Sequence, residues 1–553
     1  METLQGASRR GSCNSMPSRG ALSIAGAAAA LMLCGGLLSA AAPAGAPAGA
    51  KRHHHRRPPP PPPPPPPPKA AVCPDGAALT AAEADGLARG AAAALASDGV
   101  TVAVVDRPGN VLALWRKPAA DPVNDDLAVG LARTGAFFSS DQVPLSSRTV
   151  RFVSGIHFPP GIAGTPSAAL YGIENTNRGC DLNAAFHPGK AVPPARSVAG
   201  GSCNGTSPAG CGTGPVTGKA DLLDSDPRAV DPGGLPLYRG SAVVGGIGVA
   251  GASGPEAEYA AVAAVAGVAA GFLPVLPAPG QVFLNGVRLP FVAQTTPPAG
   301  SGPGTPCAGP GLGCGAYRIP PQNGACVPEG YLVGPAGSAE LAAAEVDAIV
   351  QQAAAAAART RSALRLPIGA RTRMVVAVAG LDGTLLALFR MPDAPVFSLD
   401  VAAAKARNVV YFSSGSAAAQ LDLPGVPAGT AVSNRTIGFG AQPLFPSGID
   451  GTGAGPFFDL FRRDAETPCS QGFDPGRPQN RNGVVFFPGS LPLYRGTALV
   501  GGLGVSGDGV EQDDYVSFLG AQGFLPPEAL WADRVFVGGV RLPFLKFPRN
   551  PEG

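Results

Sequence analysis

Val102–Ser140, VAVVDRPGNVLALWRKPAADPVNDDLAVGLARTGAFFSS, lies without a gap over Val376–Ser414, VAVAGLDGTLLALFRMPDAPVFSLDVAAAKARNVVYFSS. Further on, Leu235–Val249 (LPLYRGSAVVGGIGV) matches Leu491–Val505 (LPLYRGTALVGGLGV) at 12 of 15 positions. A third block, Val282–Phe291 (VFLNGVRLPF), matches Val535–Phe544 (VFVGGVRLPF) at 8 of 10. Three matching blocks in the same order mean a duplicated domain of roughly 200 residues, the size of one ordinary core.

Within each repeat the pattern alternates between helical and extended periods. An Ala-rich helix comes first, over Ala78–Ser97 and Ser338–Ser362, because Ala is the best helix former and Glu83 and Glu340 suit a helix start. Two strands follow around a Gly-containing turn, Val100–Val105 with Val111–Trp115 and Met374–Ala379 with Leu385–Phe389. Next comes a helix near Asp126–Phe138 or Ser398–Phe412, with apolar residues at helical spacing. After an irregular insertion, longer in the first half (about 155–234), a second hairpin crosses Arg239-Gly240 and its counterpart. A helix begins near Pro255 or Val510, and a last strand is expected through the VRLPF block. The order α-β-β-α-β-β-α-β, with hairpin-linked strands, makes an antiparallel sheet covered by helices, an α+β fold.

The flanking segments differ in composition. Arg9, Arg10 and Arg19 precede an uncharged Ala/Leu stretch that runs into small residues, so 1–50 reads as an export leader, cleaved or retained as an anchor. A basic run, Lys51–Arg57, leads into eleven prolines, Pro58–Pro68, a stiff spacer of about 34 Å at about 3.1 Å per residue. The expected organisation is therefore a leader (1–50), a spacer (51–70), a first domain (71–295), a Gly/Pro-rich linker (296–325) and a second domain (326–553). Export places the protein in the periplasm, outside the cell or on its surface.

Composition removes several functions. A net charge of +3 over 553 residues, with no aromatic-plus-basic surface motif, gives no case for nucleic acid. Gly246-Ile-Gly248-Val-Ala-Gly251 and Gly502-Leu-Gly504-Val-Ser-Gly507 satisfy the dinucleotide-binding spacing, but their first two glycines fall inside a strand. The helices that follow open with Glu256 and Glu258, or Glu511, Asp513 and Asp514, which would repel a phosphate. Those acids would suit a hard cation, although helix starts carry carboxylates without any metal.

Eight cysteines lie beyond the leader, an even number that reads as disulfides in an exported chain. The spacings Cys203–Cys211 and Cys307–Cys314 are too wide for a zinc knuckle. Repeat symmetry points to Cys73–Cys180 and Cys326–Cys469, with connectivity left open.

Three elements carry a resemblance to a known family: Asp382–Ala394 (DGTLLALFRMPDA), the helix Ala402–Arg407 (AAAKAR) and the closing Gly501–Asp514 (GGLGVSGDGVEQDD). The chain resembles the GlcG/HbpS family of haem-binding or haem-degrading proteins, related to the C-terminal domain of PduO-type adenosyltransferases. The first half departs where Arg390-Met391-Pro392-Asp393 becomes Arg116-Lys117-Pro118-Ala119 and where Lys405 becomes Leu131. The resemblance implies two tandem profilin-like α-β-α domains and binding of haem or a related tetrapyrrole.

The residues narrow the choice of iron ligand. Outside the spacer the histidines are His157 and His187, both in the first-half insertion, and neutral imidazole is a common haem ligand. His157 follows Arg148 and Arg151, either of which would suit a haem propionate. Tyr171, Tyr238, Tyr494 and Met391 are the alternatives. No nucleophile–base set recurs between the halves, so the expected function is non-enzymatic capture, storage or sensing of a tetrapyrrole. The alternative is an envelope structural protein that keeps the fold without the ligand and binds a cell-envelope partner, with oligomerisation open to either.

Overall fold

The computed structural model describes residues 78–173, 230–267, 272–273, 280–304, 314–466, 480 and 483–553, all within one compact unit that begins at Pro64. The leader, the spacer, His187 and Cys73, Cys180, Cys203, Cys211, Cys307 and Cys469 lie outside the described residues. Cys314 and Cys326 are each disulfide-bonded.

The first half opens with α1 (Ala81–Ala94), capped by Thr80, whose hydroxyl accepts from Glu83 N while Glu83 reaches back to Thr80 N. Strands β1 (Thr101–Asp106) and β2 (Val111–Arg116) form the first hairpin, followed by α2 (Asn124–Phe138) and a short α3 (Ser147–Phe152). The second hairpin is β3 (Gly234–Arg239) and β4 (Ala242–Ala250), and α4 (Gly254–Gly267) follows. β1 pairs with both β2 and β4, all antiparallel. The helices flank this sheet, so the expected α+β architecture holds.

The last predicted strand does not join it. Val282–Phe291 folds back after two residues into a miniature hairpin, β5 (Phe283–Leu284) with β6 (Val287–Arg288). Asn285 and Gly286 take φ of 51° and 81°, the two left-handed residues of a tight Asn-Gly turn. The fifth strand comes instead from the segment expected to be a linker. β7 (Ala316–Ile319) lies antiparallel on β2 and gives the sheet order β3-β4-β1-β2-β7. Trp115 Nε1 donates to Cys314 O, at 2.5 Å, and Tyr317 OH donates to Asp85 on α1, also at 2.5 Å.

The second half repeats the plan with β8 (Gly330–Val333), α5 (Ala343–Arg359), β9 (Val375–Ala379), β10 (Leu385–Arg390) and α6 (Ser398–Phe412). Short helices α7 (Ala417–Asp422), α8 (Asn434–Gly440) and α9 (Phe458–Glu466) fill its insertion. Then come β11 (Ser490–Arg495), β12 (Ala498–Ser506), α10 (Val510–Gly520) and a terminal hairpin of β13 (Phe536–Val537) and β14 (Val540–Arg541). Its sheet order is β11-β12-β9-β10-β8. Here Tyr331 on β8 donates to Asp347 on α5, the counterpart of the Tyr317–Asp85 bond. One stretch, 316–333, thus supplies the edge strand of both sheets.

The glycine motif has a packing reason. A Cβ on Gly246 or Gly248 would sit 2.0 or 2.1 Å from the carbonyl oxygens of Ala132 and Ala128 on α2. On Gly502 or Gly504 it would meet Ala406 O and Ala402 O of α6 at 2.2 and 2.1 Å. The glycines let a helix lie directly on a strand, a task unrelated to phosphate.

Two shorter repeats lie in the insertions. Ser146-Ser-Arg-Thr149 matches Ser433-Asn-Arg-Thr436, and both threonines donate to the terminal hairpin segments, at Pro290 O and Pro543 O. Phe158–Thr165 (FPPGIAGT) matches Phe445–Thr452 (FPSGIDGT), and these two loops touch: Gly164 N donates to Asp450 and Ser167 N to Ser447 Oγ.

Candidate functional site

The two halves meet along the C-terminal end of α2. Val396 N donates to Phe137 O at 3.0 Å, and Phe138 stacks on Phe397 with centroids 4.3 Å apart. Such a pair contributes about 0.5–1.5 kcal/mol beyond its buried area. Arg365, fully buried, donates to Asp508 and Asp393 of its own half and, across the seam, to the side chain of Gln142. Asp141 N donates to Asp393 in turn.

Above the stacked phenylalanines a cleft of about 550 Å³ opens between the halves, within the usual range of about 300–1,000 Å³ for small-molecule sites. The first half contributes Phe138, Val150 and Leu284, and the second contributes Phe397 and Phe547. Arg361, Lys546 and Arg549 also line it, the latter two exposed. Lys546 Nζ lies 2.5 Å from Glu511, also in the lining. Through Leu284, Asn285 and Lys546 the cleft adjoins a second cavity of about 710 Å³, which includes Tyr171.

At the first turn of α10 the lining includes Asp513. Its Oδ2 accepts from Lys405 Nζ at 3.1 Å, and its buried Oδ1 has no hydrogen-bond partner. Lys405 also donates to Val505 O at 2.9 Å and stands 5.0 Å from the Phe487 ring centroid. Burial pushes the Asp513 carboxyl up to about 7 despite the lysine beside it. Burial lowers the Lys405 ammonium, with Asp513 opposing the shift. In the first half the equivalent positions hold Leu131 and Ala257. The equivalence is spatial as well: a Cβ on Gly233 would meet Ala257 and Leu131, and one on Gly489 would meet Lys405 and Asp513.

The residues singled out from sequence are placed elsewhere. His157, just before the FPPGIAGT loop, is mostly buried and lines neither cavity of the cleft. Its Nδ1 lies 3.0 Å from Thr165 O, so that nitrogen carries the proton, and Nε2 is 3.6 Å from Asp450. Arg148 makes a two-pronged pair with Glu258, at 2.7 and 3.1 Å, and its counterpart Arg435 pairs with Asp514 at 2.5 Å. Arg151 donates to Asp231 at 2.8 Å. Both arginines expected at a propionate thus hold carboxylates of their own half.

Tyr171 donates to Ala441 O at 3.2 Å and stacks on Phe461. Tyr238 is fully buried and donates to Ser140 O at 2.7 Å. Tyr494 has a buried hydroxyl without a partner, and burial pushes its phenol up to about 12. Met391 is part of the core.

The cleft itself was not foreseen, because it joins residues hundreds of positions apart. The Lys405–Asp513 pair left one signal: the two repeats differ at both of its positions, and only the exchange at Lys405 stands out from sequence. Among the described residues no group of three or more His, Cys, Asp or Glu side chains is placed to hold a metal ion. Nor is any helix there long and apolar enough to cross a membrane.

The cleft suits one part of haem and not another. Its apolar walls fit a flat macrocycle, while the charged part of the lining is balanced, with Arg361, Lys546 and Arg549 against Asp508, Glu511 and Asp513. Among the described residues, the 550 Å³ lining contains no His, Cys, Met or Tyr to meet an iron.

Comparison with known proteins bears on the fold and the family. No curated protein matches the chain. A solved PduOC:heme complex is similar at 20% identity over 33% of this chain and 92% of that one, with a TM-score of 0.21. A double mutant of Streptomyces reticuli HbpS is similar at 22% identity over 41% and 99%, with a TM-score of 0.21. Klebsiella pneumoniae protein ORFY is similar at 22% identity over 32% and 86%, with a TM-score of 0.19. The family model described as "Haem degrading protein HbpS-like" matches twice, over 79–266 and 343–521, about two thirds of the chain. With one match on each repeat, the chain belongs to the HbpS-like family as a tandem pair.

Proposed function

We propose that this is an exported protein that binds a tetrapyrrole of the haem class, one per chain, in the cleft between its halves, and that it acts as a binder rather than a catalyst. The observation that carries the reading is the cleft, whose lining joins the stacked Phe138–Phe397 pair to Arg361, Lys546 and Arg549. Apolar walls bury the macrocycle, and its carboxylates meet the exposed end of the cleft at Arg549 and at Lys546, which they share with Glu511. Membership of a haem-related family supports the ligand class, and the arginine-then-apolar leader supports export. For the binding role, the support is that Asp508, Arg365 and Lys405 are engaged in ion pairs within the protein.

Titration of the full chain with hemin and with protoporphyrin IX tests the proposal. At least one should bind with a stoichiometry near one. Lys546→Glu/Arg549→Glu should weaken that binding about tenfold, equivalent to about 1.4 kcal/mol. Stoichiometric binding that this double variant leaves unchanged would move the site away from the cleft.

A further inference from the structure

The contact between the halves is not two-fold. In it the end of α2, Phe137 and Phe138, meets Val396 and Phe397 at the start of α6. A two-fold contact would repeat this with the twin residues, Tyr411 and Phe412 against Pro122 and Val123. Instead Val123 is 53% exposed, and Tyr411 and Phe412 are buried in a cluster with Ala419, Leu423 and Val426 of their own half. The halves therefore stack head to tail. Such a contact leaves one copy of each face over and can continue without closing. The face left over on the second half is the twin of the wall that the first half offers to the cleft: Phe412, Val432, Ile437 and Leu542 for Phe138, Leu145, Val150 and Leu289.

That face is filled from within. Between the twin serines 140 and 146 the first half has five residues, Asp141–Leu145, where the second has eighteen, Gly415–Val432. The added length forms α7, with Ser416 as its cap, and packs Ala419, Leu423 and Val426 into one cluster with Phe412. Among these four side chains about 10 Å³ of space remains, against 550 Å³ at the first half's wall. Asp422 pins the segment by accepting from Tyr411 OH at 2.7 Å and from Arg463 at 3.1 Å. The segment also has a cost. Tyr238 donates to Ser140 O, but its twin Tyr494 has a buried hydroxyl without a partner. Ser139 is extended, with ψ of 156°, whereas Ser413 has ψ of 0°, and the altered turn into the insertion takes Ser414 O out of Tyr494's reach. A segment that the first half folds without, and that sacrifices a buried hydrogen bond, serves more than the core of its own half.

We propose that residues 415–432 are a stop: they occupy the face on which a further domain of this kind would stack, and so keep a second copy of this chain from docking there through its Ala119–Val123 segment. That segment, with Val123 exposed, is the twin of Asp393–Phe397, which docks within the chain. Uncovered, the wall of Phe412, Val432, Ile437 and Leu542 is an apolar patch that invites such a partner. A stacked array stays finite only when its end units have sealed outer faces. This role is independent of the ligand in the cleft.

The test replaces Gly415–Val432 in the full chain by the first half's own five residues, Asp-Gln-Val-Pro-Leu. Cooperative melting and a far-UV circular dichroism spectrum close to the parent's establish that the shortened chain folds. Sedimentation equilibrium then compares masses at equal concentration. The shortened chain should show a concentration-dependent mass of at least about twice the parent's, and adding Val123→Glu should return it to the parent's. A folded shortened chain with the parent's mass overturns the inference. So does association that Val123→Glu leaves unchanged, because the uncovered patch is then merely adhesive. Should the shortened chain not fold, Leu423→Ala/Val426→Ala thins the seal and keeps the backbone: a rise in mass that Val123→Glu reverses supports the stop, and the parent's mass overturns it.

Discussion

Replacing Lys405 and Asp513 by the residues their twin positions carry measures what the buried pair costs the fold. The sign follows from the shift at Asp513. Its carboxyl stands near 7 in the folded protein, raised by burial, and at about 3.9 in an unfolded chain. The folded state therefore takes up a proton between these values, so this group's contribution is fully present below about pH 4 and is lost as pH rises through about 7. Three units at about 1.4 kcal/mol each set a ceiling of about 4 kcal/mol on that loss. Lys405, lowered by burial, carries the opposite slope at higher pH.

Lys405→Leu/Asp513→Ala removes both penalties together with the attraction between the partners, and the first half shows that the space can be filled. We expect the double variant to equal the parent or exceed it by about 1–3 kcal/mol at pH 8. The fall in stability between pH 5 and 8 should become shallower. Lys405→Leu alone strands the carboxylate: it should cost about 3–5 kcal/mol at pH 8 and clearly less at pH 5, where Asp513 is protonated. Urea unfolding followed by circular dichroism at both pH values reads all of this. The reasoning fails if the double variant is more than about 2 kcal/mol less stable than the parent at pH 8, or if Lys405→Leu costs the same at both pH values.

Arg148→Ala should destabilise the chain by about 2–4 kcal/mol, because it leaves the buried Glu258 without its cation; tetrapyrrole affinity per folded molecule should stay within about twofold, and a larger loss would return Arg148 to the ligand. For His157→Ala the same affinity bound is expected, since the ring lines neither cavity; loss of the Soret change would place the iron at that imidazole. Gly504→Ala drives a methyl to 2.1 Å from Ala402 O and should cost more than about 3 kcal/mol by thermal unfolding, whereas Gly496→Ala, with open space around it but φ of 60°, should cost only about 1 kcal/mol. A fragment of residues 71–295 lacks β7 and the acceptor of Trp115 Nε1, so it should melt well below a fragment of 71–325; equal melting curves would show β7 to be dispensable.

The duplication, the α+β class and the cores of the hairpins and long helices were legible in the chain. They rest on local periodicity: β1 and β2 alternate around a glycine turn, and α6 (Ser398–Phe412) was located to the residue. The rejection of a nucleotide site was legible too, because Gly246 and Gly248 fall within a strand, and the structure adds the helix they accommodate. Two errors of local reading also had local signals. Asn285-Gly286 and Gly538-Gly539 announce tight turns, and GAYRI with EGYLV forms a short repeat across the expected linker.

What the sequence could not decide is what lies opposite what. Strand β7 joins β2 across about 200 positions because an open sheet edge is satisfied by whichever strand the fold delivers. Arg148 and Arg435 look like surface cations until α3 and α8, on which they lie, set them against Glu258 and Asp514. The cleft exists only because Phe138 of one half stacks on Phe397 of the other. A ligand site between two domains depends on how they pack, and packing is set by the summed burial of both surfaces rather than by any motif.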